Sequence, residues 1–155
     1  GVNIVSKNKI ILKELSNKEI SLKPVKLKDL NDIFRVFSNE FGCFNSQSPH
    51  IKFELTREAI NTIVKSNLLV WSINLDNKII GLIQINCLEN DYSSCTIEYY
   101  ICNRGVDKEL ILSWVKDIIV DYLQNTYGIE NFKYEKGLKI INIQNKLGGI
   151  YQHET

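Results

Sequence analysis

The chain has 155 residues, 44% hydrophobic and 24% charged, with a net charge of +1. That length is one domain with room for a sizeable core, and the composition excludes a disordered chain. Near-neutral charge gives non-specific nucleic-acid binding no support, and no apolar run reaches the roughly 20 residues that cross a bilayer.

The charge is uneven. The first 28 residues hold seven Lys against Glu14 and Glu19, a net of +5, and the remainder is −4. Such a segment is a solvated basic arm or a contact for an acidic partner. The four cysteines, Cys43, Cys87, Cys95 and Cys102, form no CxxC pair, and the histidines are His50 and His153. Neither a zinc site nor a disulfide framework is indicated, so four reduced thiols in a cytoplasmic protein are expected.

In chain order, residues 1–18 read as an arm or edge strand. Ile20 to Val25 alternates as a strand, with Pro24 arguing for an edge or a bulge. Asp29 to Ser38 reads as a helix with Leu30, Ile33, Phe34 and Phe37 on one face. Phe41 to Phe53 is loop-like, and Thr56 is the expected N-cap of a second helix ending near Ser66. Strands at Leu68–Leu75 and Ile79–Asn86 flank a tight turn at Asp76-Asn77-Lys78. A third strand, Cys95–Ile101, completes an antiparallel meander. A turn containing Gly105 leads into a long helix, about Lys108 to Asn125, that buries Leu110, Ile111, Trp114, Val115, Ile118, Ile119 and Tyr122. Gly128 is its expected C′ residue. A strand at Ile129–Tyr134 runs parallel to its predecessor because a helix intervenes. A last helix spans Leu138–Leu147, and Gly149 to His153 has room for one short strand. The order predicts an α/β fold with a mixed sheet and helices on both faces, in a single domain over residues 1–155.

Three segments carry a resemblance: ISLKPVKLKDLNDIFRVF (Ile20–Phe37), NKIIGLIQI (Asn77–Ile85, with Gly81) and NIQNKLGG (Asn142–Gly149). Together they resemble the GCN5-related N-acetyltransferase family, in particular its ribosomal-protein N-terminal acetyltransferase branch. The resemblance implies that acetyl-CoA lies where the fourth strand splays from the fifth. Its pyrophosphate would sit on the turn before the long helix. Residues Ile101, Cys102, Asn103, Arg104, Gly105, Val106 and Asp107 become the cofactor-binding candidates. The match there is partial. Gly105 falls on the first glycine of the family pattern, Cys102 on its Arg, and Asp107 on its second small residue. Asp107 is a sound N-cap but brings a negative charge to a phosphate site. Arg104 would offset it.

The resemblance also implies a carboxylate base on the fourth strand, which selects Glu98. Alternation puts Glu98, Tyr100 and Cys102 on one face, so Glu98 and Tyr100 are the catalytic candidates. The family's acidic Tyr in the last helix is replaced by Gln144, with Tyr127, Tyr134 and Tyr151 as substitutes. His50 falls in the loop bordering the acceptor site. No metal is implied. The expected activity is direct acetyl transfer to the amine of a small molecule or a protein N-terminus. Two alternatives stand beside it: a degenerate member of the fold that binds without turnover, and an α/β domain that holds an acidic partner through its Lys-rich arm. One closing strand is missing from the family pattern, which leaves a sheet edge open to a partner chain, a second copy included.

Overall fold

A computed structural model describes residues 9–37, 48–88, 91–102 and 105–141. Six strands form one sheet in sequence order: β1 (Leu15–Ser16), β2 (Ser21–Pro24), β3 (Val70–Leu75), β4 (Lys78–Leu88), β5 (Asp91–Ile101) and β6 (Asn131–Lys136). All neighbours are antiparallel except β5 and β6. The expected meander and the expected parallel last strand are both present. Pro24 pairs with Trp71 of β3, beyond the reach of β1, so its missing N–H breaks no ladder.

Three helices cover the sheet: α1 (Leu30–Phe37), α2 (Pro49–Lys65) and α3 (Lys108–Tyr127). Residues 139–141 are helical and begin the expected last helix; its remainder, Gln144, Tyr151 and the short strand after it lie outside the described residues. One apolar cluster lies between α3 and the face carrying Trp71, Ile83 and Ile97. The other lies between α1, α2 and the face carrying Val70, Leu82 and Tyr100, and Leu138 and Ile141 join it.

Several expectations change. α2 begins at Pro49 with Ser48 as its cap, accepting from the Ile51 N–H at 3.3 Å. Thr56 is therefore not an N-cap. It is buried inside the helix and donates to the Lys52 carbonyl at 2.8 Å. The β3–β4 turn uses Asp76 and Asn77 alone, both at positive φ. Leu110 is exposed, because it stands in the first turn of α3, ahead of the part that covers the sheet. The arm from residue 9 onward is docked. Trp71 Nε1 donates to the Lys13 carbonyl at 2.7 Å, and the Tyr122 hydroxyl donates to the Ile11 carbonyl at 2.6 Å. Gly128 closes α3 at φ 70°, as expected.

Gly81 is fixed by a close approach. The β3–β4 register shifts beside it, and a Cβ there would stand 2.1 Å from the Tyr100 carbonyl oxygen. Only glycine lets β4 lie this near β5 at that point.

Candidate active site

The sheet face toward α1 and α2 is interrupted by polar side chains where β4, β5 and β6 run side by side. The register aligns Gln84 with Glu98 and Glu98 with Glu135, and, one row on, Asn86 with Thr96 and Thr96 with Lys133. Glu98 is 0% exposed. Its Oε1 accepts the Lys139 backbone N–H at 2.7 Å, and its Oε2 accepts from the Asn86 side-chain amide. A buried carboxylate is tolerated only when donors replace its lost water. Here one donor comes from β4 and one from the first turn of the helix at 139–141. Beside it, Gln84 is 6% exposed and its Oε1 has no hydrogen-bond partner.

Tyr100 shares this face. It is buried, with its ring centroid 4.6 Å from that of Phe37 in α1. Cys102 does not join them. The strand ends at Ile101, and Cys102 turns back to pack against the α3-side cluster, its N–H donating to the Ile80 carbonyl at 2.8 Å. The tyrosines considered as substitute acids stand on the other face. Tyr127 is tied to the arm through the Ile11 N–H, and Tyr134 packs with the α3 cluster. Burial and the nearby Asp117 raise the Tyr134 pKa, and Lys116 lies 4.3 Å from its ring centroid. His50 is exposed in the first turn of α2.

β6 accompanies β5 only as far as Tyr99, whose carbonyl accepts the Gly137 N–H at 2.6 Å. Tyr100 and Ile101 continue without a β6 partner, so the two strands part at that end. The turn beyond leads to the start of α3. Gly105 has φ +73° and open space around the position of a Cβ. Val106 packs against the α3-side cluster, which anchors the turn. Asp107 caps the helix, its carboxylate accepting the Leu110 N–H at 3.2 Å, and its carbonyl takes the first intrahelical bond, from Ile111. The N–H groups of Lys108 and Glu109 precede that bond and have no intrahelical acceptor. Asn103 and Arg104 lie outside the described residues.

This arrangement recurs in solved structures. A protein described as a ribosomal-protein-serine acetyltransferase, from Vibrio cholerae, superposes with a TM-score of 0.60 at 8% identity, over 78% of this chain and 72% of that one. An acetyltransferase from T. thermophilus gives 0.65 at 14% identity, over 82% and 68%. The microcin C7 self-immunity acetyltransferase MccE, solved with acetyl-CoA and AMP, gives 0.56 at 15% identity, over 75% and 68%. The chain has the GCN5-related N-acetyltransferase fold. No family model and no curated protein sequence matches it.

Within the acetyltransferase fold, the glycine turn and the two free N–H groups fit a phosphate at a helix N-terminus. The Asp107 carboxylate opposes it, and the structure adds that this carboxylate is spent on capping. Sequence reasoning missed Asn86, Gln84 and Lys139, which only strand register and a residue 41 positions away bring to Glu98. It also missed one covalent feature. Cys87 and Cys95 face each other across β4 and β5 and are joined as a disulfide, Cα to Cα 4.3 Å. The expectation of four reduced thiols is corrected on this point. Extending the hairpin register from Ile85 and Ile97 by two residues was the available signal. Among the described residues no group of three His, Cys, Asp or Glu is placed to hold a metal, and no helix is long and apolar enough to cross a membrane.

Proposed function

We propose that this chain is an N-acetyltransferase that moves the acetyl group of acetyl-CoA directly to an amine. The observation carrying the reading is the parting of β5 from β6 after Tyr99, directly before a glycine turn and a helix N-terminus. Acetyl-CoA, when bound, supplies the activated thioester. Gly105, Val106 and the N–H groups of Lys108 and Glu109 would hold its pyrophosphate, with Ile101 and Cys102 along the approach. Asn103 and Arg104 complete the proposed set.

Glu98 is the proposed base, with a specific condition. Both of its oxygens already accept hydrogen bonds, and the Lys139 N–H is fixed backbone. The side chain of Asn86 is exposed and free to rotate away. The acceptor amine therefore takes the place of the Asn86 amide at Oε2, exchanging one N–H donor for another, and gives its proton there. Tyr100 lies two residues nearer the parted end on the same face, which supports it as the donor to the departing thiolate. The acceptor is a small molecule or a peptide N-terminus. The cytoplasmic setting and a second copy docking on the outer edge of β6 belong to the same reading.

A second reading is a binding module of this fold without turnover. The saturation of Glu98 and the Asp107 cap favour it. Titration with acetyl-CoA by calorimetry separates the alternatives. The enzyme reading expects binding, and Glu98→Gln then lowers kcat with little change in cofactor affinity. Absence of heat and of a thermal shift at millimolar cofactor sinks it; binding with kcat unchanged in Glu98→Gln removes Glu98 from the role.

A further inference from the structure

The Cys87–Cys95 bridge is not sealed in the core. Cys95 is 3% exposed, but Cys87 is only half-buried, and both line a cleft of about 450 Å3 at the hairpin end of β4 and β5. The rest of that cleft is polar and basic: Asn86, Ser94, Thr96 and Asn131, with Lys133 and Lys139 at its edge. The two lysines share a single carboxylate. Lys133 Nζ is 3.3 Å from Glu135 Oε1, and Lys139 Nζ is 3.7 Å from Glu135 Oε2. One positive charge is therefore left over beside the bridge. Glu98 does not cancel it, since its oxygens are turned to Asn86 and the Lys139 N–H.

We propose that this cleft is a redox-modification site, at which an anionic low-molecular-weight thiol of the glutathione type exchanges with the Cys87–Cys95 bridge. The inference does not rest on acetyl transfer. The lysines hold the carboxylates of the incoming thiol, and the cleft delivers its sulfur to Cys87, the accessible partner. The thiolate attacks the Cys87 sulfur, the bridge breaks, and Cys95 departs as a thiolate that takes up a proton. A second thiolate attacks the small-molecule sulfur of the mixed disulfide. That releases Cys87, which is protonated in turn, and the oxidised disulfide of the small thiol. Two electrons pass from two small thiols to the bridge, and the reverse sequence restores it. Exchange depends on access and on which sulfur is attacked. Here both are set by the difference in burial between the two cysteines.

The test uses the oxidised full chain, followed by alkylation and intact mass at timed intervals. Reduced glutathione is compared with uncharged 2-mercaptoethanol at equal thiolate concentration. The expected result is a bridge opened by both in the folded protein. Lys133→Ala combined with Lys139→Ala slows the glutathione reaction about tenfold and leaves the 2-mercaptoethanol reaction unchanged. The unchanged rate with 2-mercaptoethanol also reports that the variant is folded around the bridge. Equal slowing of both reagents, no slowing of either, or a bridge that resists glutathione until the chain unfolds overturns the proposal. So does a mixed disulfide that peptide mapping finds on Cys95 rather than Cys87.

Discussion

The two faces of the sheet are built by different rules. Toward α3 the packing is continuous and apolar: Trp71, Ile83 and Ile97 meet Val115, Ile119 and Leu123, and the arm closes the margin through backbone carbonyls. Toward α1 and α2 the apolar cluster stops at a row holding Gln84 and Glu98, one of them with an unpartnered oxygen. Burying such groups works against stability unless donors are supplied. The comparison teaches that one face anchors the fold, and this lets the other tolerate a carboxylate in the interior.

The comparison breaks if the anchoring face proves dispensable. Trp71→Ala removes a fully buried ring and the tie to Lys13, with an expected loss of about 3–5 kcal/mol by urea denaturation. Gly81→Ala forces β4 from β5, with an expected loss of about 3 kcal/mol by the same measurement. On the polar face the cost is smaller and depends on the replacement. Glu98→Ala orphans the Lys139 N–H and is expected to cost about 2 kcal/mol. Glu98→Gln keeps an acceptor for that N–H, and the exposed Asn86 amide can turn its oxygen to the new one; its melting temperature stays closer to that of the parent. Equal losses from the two variants would show that the carboxylate charge, rather than its hydrogen bonds, holds the site.

The smallest effect sharpens the arm's part. Burial, first, and the hydrogen bond and charge of Tyr127 raise the Tyr122 pKa above its ordinary value, against a lowering by the Ile11 backbone. A phenol with a raised folded-state pKa contributes stability that is fully present below about pH 10 and is lost as pH rises through the folded value. Unfolding free energy is therefore expected to fall above about pH 10, and Tyr122→Phe is expected to flatten that part of the profile by about 1 kcal/mol. An identical alkaline slope in the variant would remove Tyr122 as its source.

Much of this architecture was legible because its determinants are local. Alternation gave β4 and β5, Asp76 and Asn77 gave the turn, and Gly128 gave the end of α3. The start of α2 was local too, in the Ser48-Pro49 pair, a favoured cap followed by a favoured first residue. It was obscured by the polar residues before it. The candidate site was legible only in part. Alternation placed Glu98 and Tyr100 on one face, but nothing in their neighbourhood announces Asn86 and Lys139 as donors. Those contacts follow from register and from a crossover through α3, which are global properties. The grouping of Cys102 with Glu98 failed because alternation ends where the strand does.

The bond from Lys139 to Glu98 also dictates when the site comes into being. The β3–β4–β5 meander joins neighbours in sequence and can pair early, supplying Asn86. The second donor arrives only after α3 has formed and β6 has paired in parallel across it, the slowest kind of contact to close. During synthesis, the carboxylate has its full complement of donors only once residue 139 has emerged. The site is therefore silent in every partly made or partly folded chain, and its assembly is a late report that the sheet is complete.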